Sequence, residues 1–198
     1  MAILSNSDKW NSYTAHVLKW EGKTSSDPRD TASKCFPGGI HTNKGITYCT
    51  FKAMASKLGI LPVTHARFLA LTDYEVGLFI YEFYKAVNGN KLPDSVALAM
   101  TEAAWGSGPV RAWQHLKEAL RDLGKIALTN SQAIQMAAQV PEKKLFAAYF
   151  ARRYNYIVNT LGGSPTYAMY RKGWMNRLNA FKKLFDPAMA IFTLPFFF

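Results

Sequence analysis

Apolar residues recur at three- and four-residue steps along most of this chain and lose that rhythm in one stretch near its start. Trp10, Tyr13, Val17 and Trp20 form one stripe. It predicts an amphipathic helix over residues 7–21, closed by Gly22, a residue type that readily takes the left-handed conformation ending a helix. Residues 22–47 are rich in Gly, Pro, Asp, Ser and Thr and predict loop with a short hairpin. Helical spacing resumes at 49–58, ended by Gly59, then at 65–71, and at 73–87, opened by a capping box of Thr72 and Glu75. Pro93 and Pro109 read as first-turn prolines of two more helices, with Gly106 and Gly108 at a tight corner between them and Gly124 closing the second. Helices over 130–138, 142–160 and 171–185 follow, with a basic face of Lys143, Lys144, Arg152, Arg153, Arg171, Lys172, Arg177, Lys182 and Lys183. The predicted fold class is therefore mainly α, with a small loop or β-hairpin lobe near residues 22–47.

A chain of 198 residues with 49% apolar content suits one core or two closely packed lobes and excludes general disorder. Its 24 Lys and Arg against 13 Asp and Glu leave +11, which attracts polyanions; bacterial walls and nucleic acids both qualify. There is no helix-turn-helix with a basic recognition helix, no zinc spacing and no aromatic RNA-binding signature, so nucleic acid is not expected as a partner. The first residues lack the basic and apolar runs of a signal peptide, and no apolar run is long enough for a transmembrane segment. The apolar tail from Ala188 to Phe198 has three readings: packing on the protein's own surface, shallow insertion at a membrane interface, or pairing with another chain. The first is favoured, because exposed apolar patches of that size are uncommon on soluble monomers. His16, His41, His65 and His115 show no ligand spacing, so neither metal nor cofactor is expected. Cys35 and Cys49 flank the Thr42–Thr47 segment. A bridge would form only in an oxidising compartment, and without an export signal two free thiols are the expectation. No nucleophile motif surrounds either one.

The candidate chemistry centres on Lys19-Trp20-Glu21-Gly22 and Thr42-Asn43-Lys44-Gly45-Ile46-Thr47. Glu21 falls in a last helical turn, where unpaired carbonyls disfavour a carboxylate, and burial beside Trp20 would act in the same direction. A carboxyl kept protonated can serve as a general acid; the duller reading is a surface Glu before a helix-ending Gly. Lys23 would oppose the protonated form. Asp27 precedes Pro28 and is first a turn former; its functional reading is a second carboxylate that orients water or stabilises positive charge, with Asp30 a weaker version. In the Thr-rich segment, Gly45 supplies a positive φ and the hydroxyls cap the next helix, or Thr42, Asn43 and Thr47 bind sugar or hold a nucleophilic water. One residue can serve both ends. Glu102 reads as a buried bridge to Arg111 or a backbone donor, or as an acid that meets substrate. Trp105, Trp113, Tyr167, Tyr170 and Trp174 read first as core, which leaves Tyr48 and Tyr84 as better cleft candidates.

Taken together, Glu21-Gly22, Asp27-Pro28, Gly38-Gly39, Thr42 to Thr47 and the aromatic helix start at Tyr48 to Phe51 resemble glycoside hydrolase family 108. Gly106-Ser107-Gly108-Pro109 leading into Arg111 to Gln114, and Tyr170 to Arg177, look like the opening and closing signatures of that family's predicted peptidoglycan-binding region. The resemblance runs from about Trp10 to Phe181. Three departures stand out: Lys23 replaces a second Gly, the stretch holding Lys34, Cys35 and Phe36 is longer, and Tyr84-Lys85-Ala86 replaces Tyr-Trp-Asp.

The resemblance implies a lysozyme-like fold and a muramidase that cleaves the β-1,4 bond between N-acetylmuramic acid and N-acetylglucosamine, of the kind found in phage and prophage endolysins and in proteins described as secretion activators. It implies Glu21, Asp27 and Thr47 as catalytic residues and Thr42, Asn43, Lys44, Tyr48, Tyr84 and Glu102 as substrate-binding, with retention or inversion left open. The domain reading is 1–100 catalytic, 101–185 a wall-binding helical region packed on it, and 186–198 a tail. By the same resemblance the protein is a monomer that accumulates in the bacterial cytoplasm and reaches the cell wall through a holin or by lysis. The rival readings are a non-catalytic wall-binding or secretion-associated protein, a peptidase or amidase, and a nucleic-acid binder.

Overall fold

The computed structural model describes residues 8–21, 24–161, 163–165 and 168–185. Gly22, Lys23, Tyr167 and the tail from Ala188 to Phe198 lie outside the described residues. The architecture is mainly α with one small antiparallel sheet, a lysozyme-like fold. The chain divides into two compact units, residues 1–82 and 83–198. The family-level boundary expected near residue 100 falls inside a helix of the second unit, Asp94–Ser107.

In the first unit, α1 (Asp8–Glu21) buries Tyr13 and Val17, four apart on one face. Trp20 is 38% exposed, its ring tilted towards His16. Strands β1 (Thr24–Ser25), β2 (Thr42–Asn43) and β3 (Ile46–Thr47) form an antiparallel sheet in that order, with Asn43 opposite both Thr24 and Ile46. The β2–β3 hairpin turns through Lys44 and Gly45, both at positive φ (49° and 77°), the two-residue loop whose twist suits paired strands. Between β1 and β2, Asp30 caps a short 3₁₀ helix, Thr31–Cys35, its Oδ1 accepting from Ala32 N at 2.9 Å.

That 3₁₀ helix brings Cys35 beside Cys49 at the start of α2 (Tyr48–Met54), with Cα atoms 5.1 Å apart, and the two are joined as a disulfide. This corrects the expectation of two free thiols, because the fold sets both Cα atoms at bridging distance. The helices α3 (His65–Leu69) and α4 (Asp73–Ala86) follow. The capping box at the start of α4 is present, with Glu75 N donating to Thr72 Oγ1 at 3.2 Å and Thr72 N to Glu75 Oε2 at 2.9 Å. Ile46, Phe51, Phe68, Val76 and Phe79 are buried together in this unit, the Phe51 ring lying against those of Tyr48, Phe68 and Phe79.

The second unit is built on α5 (Asp94–Ser107), buried at every position from Ser95 to Ala104, which packs against α6 (Pro109–Asp122) and α8 (Glu142–Asn155). A helix covered on all sides needs apolar residues all round, and Val96 to Met100 with Ala103 and Ala104 supply them. Pro109 occupies the first turn of α6, as its sequence position predicts, whereas Pro93 caps α5 from outside. The remaining helices are α7 (Asn130–Ala137), opened by a capping box of Thr129 and Gln132, and α9 (Arg171–Phe185). The helix predicted over 142–160 is α8 continued by a π-helical turn, Tyr156–Leu161.

The basic face read from the sequence loses three members. Arg153 and Arg177 are buried against Glu102 on α5, because an acid on a helix with no exposed side must be paired internally. Arg152 forms a two-toothed pair with Asp122.

Candidate functional site

Glu21 is the last residue of α1 and is half-buried. Its cover comes from the hairpin. A Cβ placed on Gly45 would fall 2.9 Å from Glu21 Cβ and 3.0 Å from its Cγ and Cδ, so the turn lies directly on the carboxyl-bearing side chain. Glycine at position 45 thus answers two demands, a φ of +77° and an approach that leaves no room for a methyl group. The two motifs found in the sequence are brought together here within the first unit, although more than twenty residues separate them.

The hairpin is held from several directions. Asn43, 4% exposed, sends its amide to Phe68 O at 2.8 Å and Leu69 O at 3.2 Å, carbonyls of the last turn of α3. Lys44 Nζ meets Asp73 Oδ1 at 2.5 Å, where α4 begins. Thr47 is the N-cap of α2, its Oγ1 accepting from Thr50 N at 3.2 Å and lying 3.0 Å from Thr50 Oγ1. Thr42 Oγ1 lies 3.1 Å from His41 Nδ1, and His41 Nε2 lies 3.1 Å from Asp27 O. Since that carbonyl can only accept, Nε2 carries the proton, and in the neutral ring Nδ1 accepts from the Thr42 hydroxyl. His41 is buried at the joint between β2 and the Asp27 turn, a positioning role that its lack of ligand spacing in the sequence does not reveal.

Asp27 is engaged by its own turn. Arg29 donates Nε to Oδ1 at 2.9 Å and Nη2 to Oδ2 at 2.7 Å, and its backbone N to Oδ1 at 3.0 Å. The Asp-Pro-Arg run carries that pair in the sequence, and reading Asp27 alone missed it. Tyr48 is half-buried among Phe36, His65, Phe51 and Phe68, with Phe36 and His65 stacked at 3.8 Å and Tyr48 edge-on to both. The inserted Lys34-Cys35-Phe36 stretch therefore contributes a bridge and an aromatic wall to this unit.

Tyr84 and Glu102 belong to the second unit. Tyr84 lies on Gly89, where a Cβ would collide with its ring. Glu102, 3% exposed, accepts from Arg153 Nε at 3.2 Å and faces Arg177 Nη2 at 3.3 Å, the setting of a buried bridge. Its expected partner Arg111 instead lies over the Tyr156 ring, 4.6 Å from the centroid. Arg153 also donates Nη1 to Ser107 Oγ at 2.8 Å and rests on Gly106, where a Cβ would come 2.9 Å from its Nη2. Residues 106–107 of the opening signature are thus linked to Arg177 of the closing one through Arg153 and Glu102. Among the described residues no group of three or more His, Cys, Asp and Glu could hold a metal ion.

The family model for glycosyl hydrolase 108 matches residues 14–108, the segment that contains Glu21, the hairpin and Asp27. Among solved structures, that of Brucella abortus SagA is similar, with a TM-score of 0.65 and 23% sequence identity over 92% of this chain and 96% of that one. At that identity the likeness bears on the fold alone. No curated protein matches the chain.

Proposed function

We infer, from the premise that residues 14–108 belong to glycosyl hydrolase family 108, that this protein is a muramidase that cleaves the β-1,4 bond between N-acetylmuramic acid and N-acetylglucosamine, with Glu21 as its general acid. The family match supports a glycoside hydrolase, with peptidoglycan as its substrate. The finer reading rests on one observation: a half-buried carboxyl at a helix C-terminus, closed over by the Gly45 turn inside the matched segment. The carbonyls of that helix end favour the protonated acid, the form needed to donate.

In the proposed reaction the Glu21 proton passes to the glycosidic oxygen as the C1–O bond breaks, the bonding pair leaves with that oxygen, and water takes the oxocarbenium-like carbon. Both Asp27 oxygens accept from Arg29, which favours Asp27 orienting a water and drawing its proton over attacking the sugar itself. With a water held near Thr42 or Thr47 the outcome is inversion. Residues 101–185 are assigned to wall binding through exposed lysines, since Arg153 and Arg177 are internal. The protein is taken to act as a monomer that leaves the cytoplasm through a holin or by lysis, and the Cys35–Cys49 bridge would close once it meets an oxidising compartment.

The test is digestion of purified sacculi by wild-type protein and Glu21→Gln, with fragments identified by mass spectrometry. Muropeptides with reducing N-acetylmuramic acid ends, absent with Glu21→Gln, are expected. Folded protein that binds sacculi and releases no glycan fragments would overturn the reading in favour of a non-catalytic wall binder.

A further inference from the structure

We propose that Asn43 is a positioning residue for Glu21, acting through the hairpin turn, and does not bind sugar. The proposal rests on the reading of Glu21 as the general acid.

Asn43 is 4% exposed, so its side chain is not offered to a polymeric ligand. Both contacts of its amide nitrogen run inwards, to Phe68 O at 2.8 Å and Leu69 O at 3.2 Å. The next two residues are the Lys44–Gly45 turn, and that turn lies against Cβ, Cγ and Cδ of Glu21. A two-residue loop with both φ angles positive has little freedom of its own, so its position follows that of β2. The amide of Asn43 therefore ties the cover of Glu21 to the end of α3. The Lys44–Asp73 ion pair ties the same turn to the start of α4. The first tie is buried and the second is partly solvated, Asp73 being 67% exposed, so the first is the stronger restraint. A shift of the turn by about 1 Å would change both the packing and the solvation of the carboxyl, an error that can cost about a hundredfold in rate.

Two variants test this, Asn43→Ala and, against the chance that it fails to fold, Asp73→Asn, which loosens the turn from the solvent side. Turnover on sacculi would be measured together with the ¹³C carboxyl titration of Glu21, its signal assigned by Glu21→Gln. The expected result is a kcat lowered at least about tenfold in Asn43→Ala. KM should hold, the Glu21 titration should move, and Asp73→Asn should show smaller changes of the same sign. A raised KM with kcat and the Glu21 signal unchanged would make Asn43 a sugar ligand and overturn the proposal. So would a lower melting temperature with the signal unmoved, since that is a purely structural role. If wild-type protein releases no fragments while the Glu21 signal still moves in the variants, the muramidase reading falls and the positioning role stands.

Discussion

Reducing the Cys35–Cys49 bridge should destabilise the first unit and loosen the hairpin. The bridge closes a loop of 14-residue separation, and chain entropy for that length gives about 3 kcal/mol. For a chain of this size that is a fall of about 6–12 °C in melting temperature. The enclosed segment is β2, the Lys44–Gly45 turn and β3 in full, so hydrogen exchange should rise at residues 42–47 first. Cys49 is exposed and within reach of a dithiol reductant, which forms its own disulfide as the bridge becomes two thiols. The assay is thermal unfolding and sacculus turnover with and without reductant, thiol content measured in parallel, with Cys35→Ser/Cys49→Ser as the control that no longer responds. The Phe36–His65 stack beside the bridge will retain some local order, which places the measured effect at the lower end. Two titratable thiols per chain with an unmoved melting temperature and unmoved exchange would refute the reasoning.

Gly45→Ala adds a methyl group 2.9 Å from Glu21 Cβ at a φ of +77°, and should cost about 1–3 kcal/mol and most of the turnover while the fold survives; unaltered turnover would show that the turn does not set Glu21. Glu102→Ala leaves Arg153 and Arg177 buried without their acid and should cost about 3–5 kcal/mol in denaturant unfolding, whereas an unchanged midpoint would mean that the cluster is solvated. His115 is 2% exposed, neither ring nitrogen meets a hydrogen-bond partner among the described residues, and burial, reinforced by Arg153, Arg111 and Arg152, holds it down to about 3. The fold thus favours the neutral ring: stability is full above about 6.5 and is lost as pH falls from there towards 3, by about 5 kcal/mol at most. His115→Phe should flatten unfolding free energy against pH in that window, and a slope identical to wild type would exclude His115 as its source.

What could be read from the sequence was whatever local chemistry decides. The Thr72–Glu75 box, the first-turn Pro109 and the Gly45 turn each follow from a few neighbouring residues. Glu21 and the hairpin were legible as two motifs, and their contact was not, because it depends on how β2 is tied to α3 by Asn43. The same limit explains Glu102. Its partner could be any cation within reach of the fold, and the sequence suggests Arg111 or a backbone donor, while Arg153 and Arg177, its partners here, lie 51 and 75 positions away. The Cys35–Cys49 bridge is hidden for another reason: a spacing of 14 residues does not set the distance between two Cα atoms, and the fold does.

The charge that the sequence shows as a single total is divided in a way that suits the proposed chemistry. Residues 83–198 hold fifteen Lys and Arg against six Asp and Glu, while residues 1–82 hold nine against seven. Attraction to a polyanionic wall is a long-range effect of net charge and belongs to the second unit. A general acid needs the opposite surroundings, because a strong positive field favours its carboxylate form and weakens proton donation. The first unit meets that need by pairing as well as by composition. Arg29, Lys44, Lys57 and Arg67 are tied to Asp27, Asp73, Glu82 and Glu75, so four of its cations are neutralised by partners within the unit. Lys44, the cation within the turn that covers Glu21, has its ammonium group drawn to the start of α4. The ion pairs of this unit are exposed or only partly buried and contribute little stability one by one. Their larger effect is on the field inside the unit, where each pair offsets one of the charges that would otherwise favour a carboxylate at Glu21.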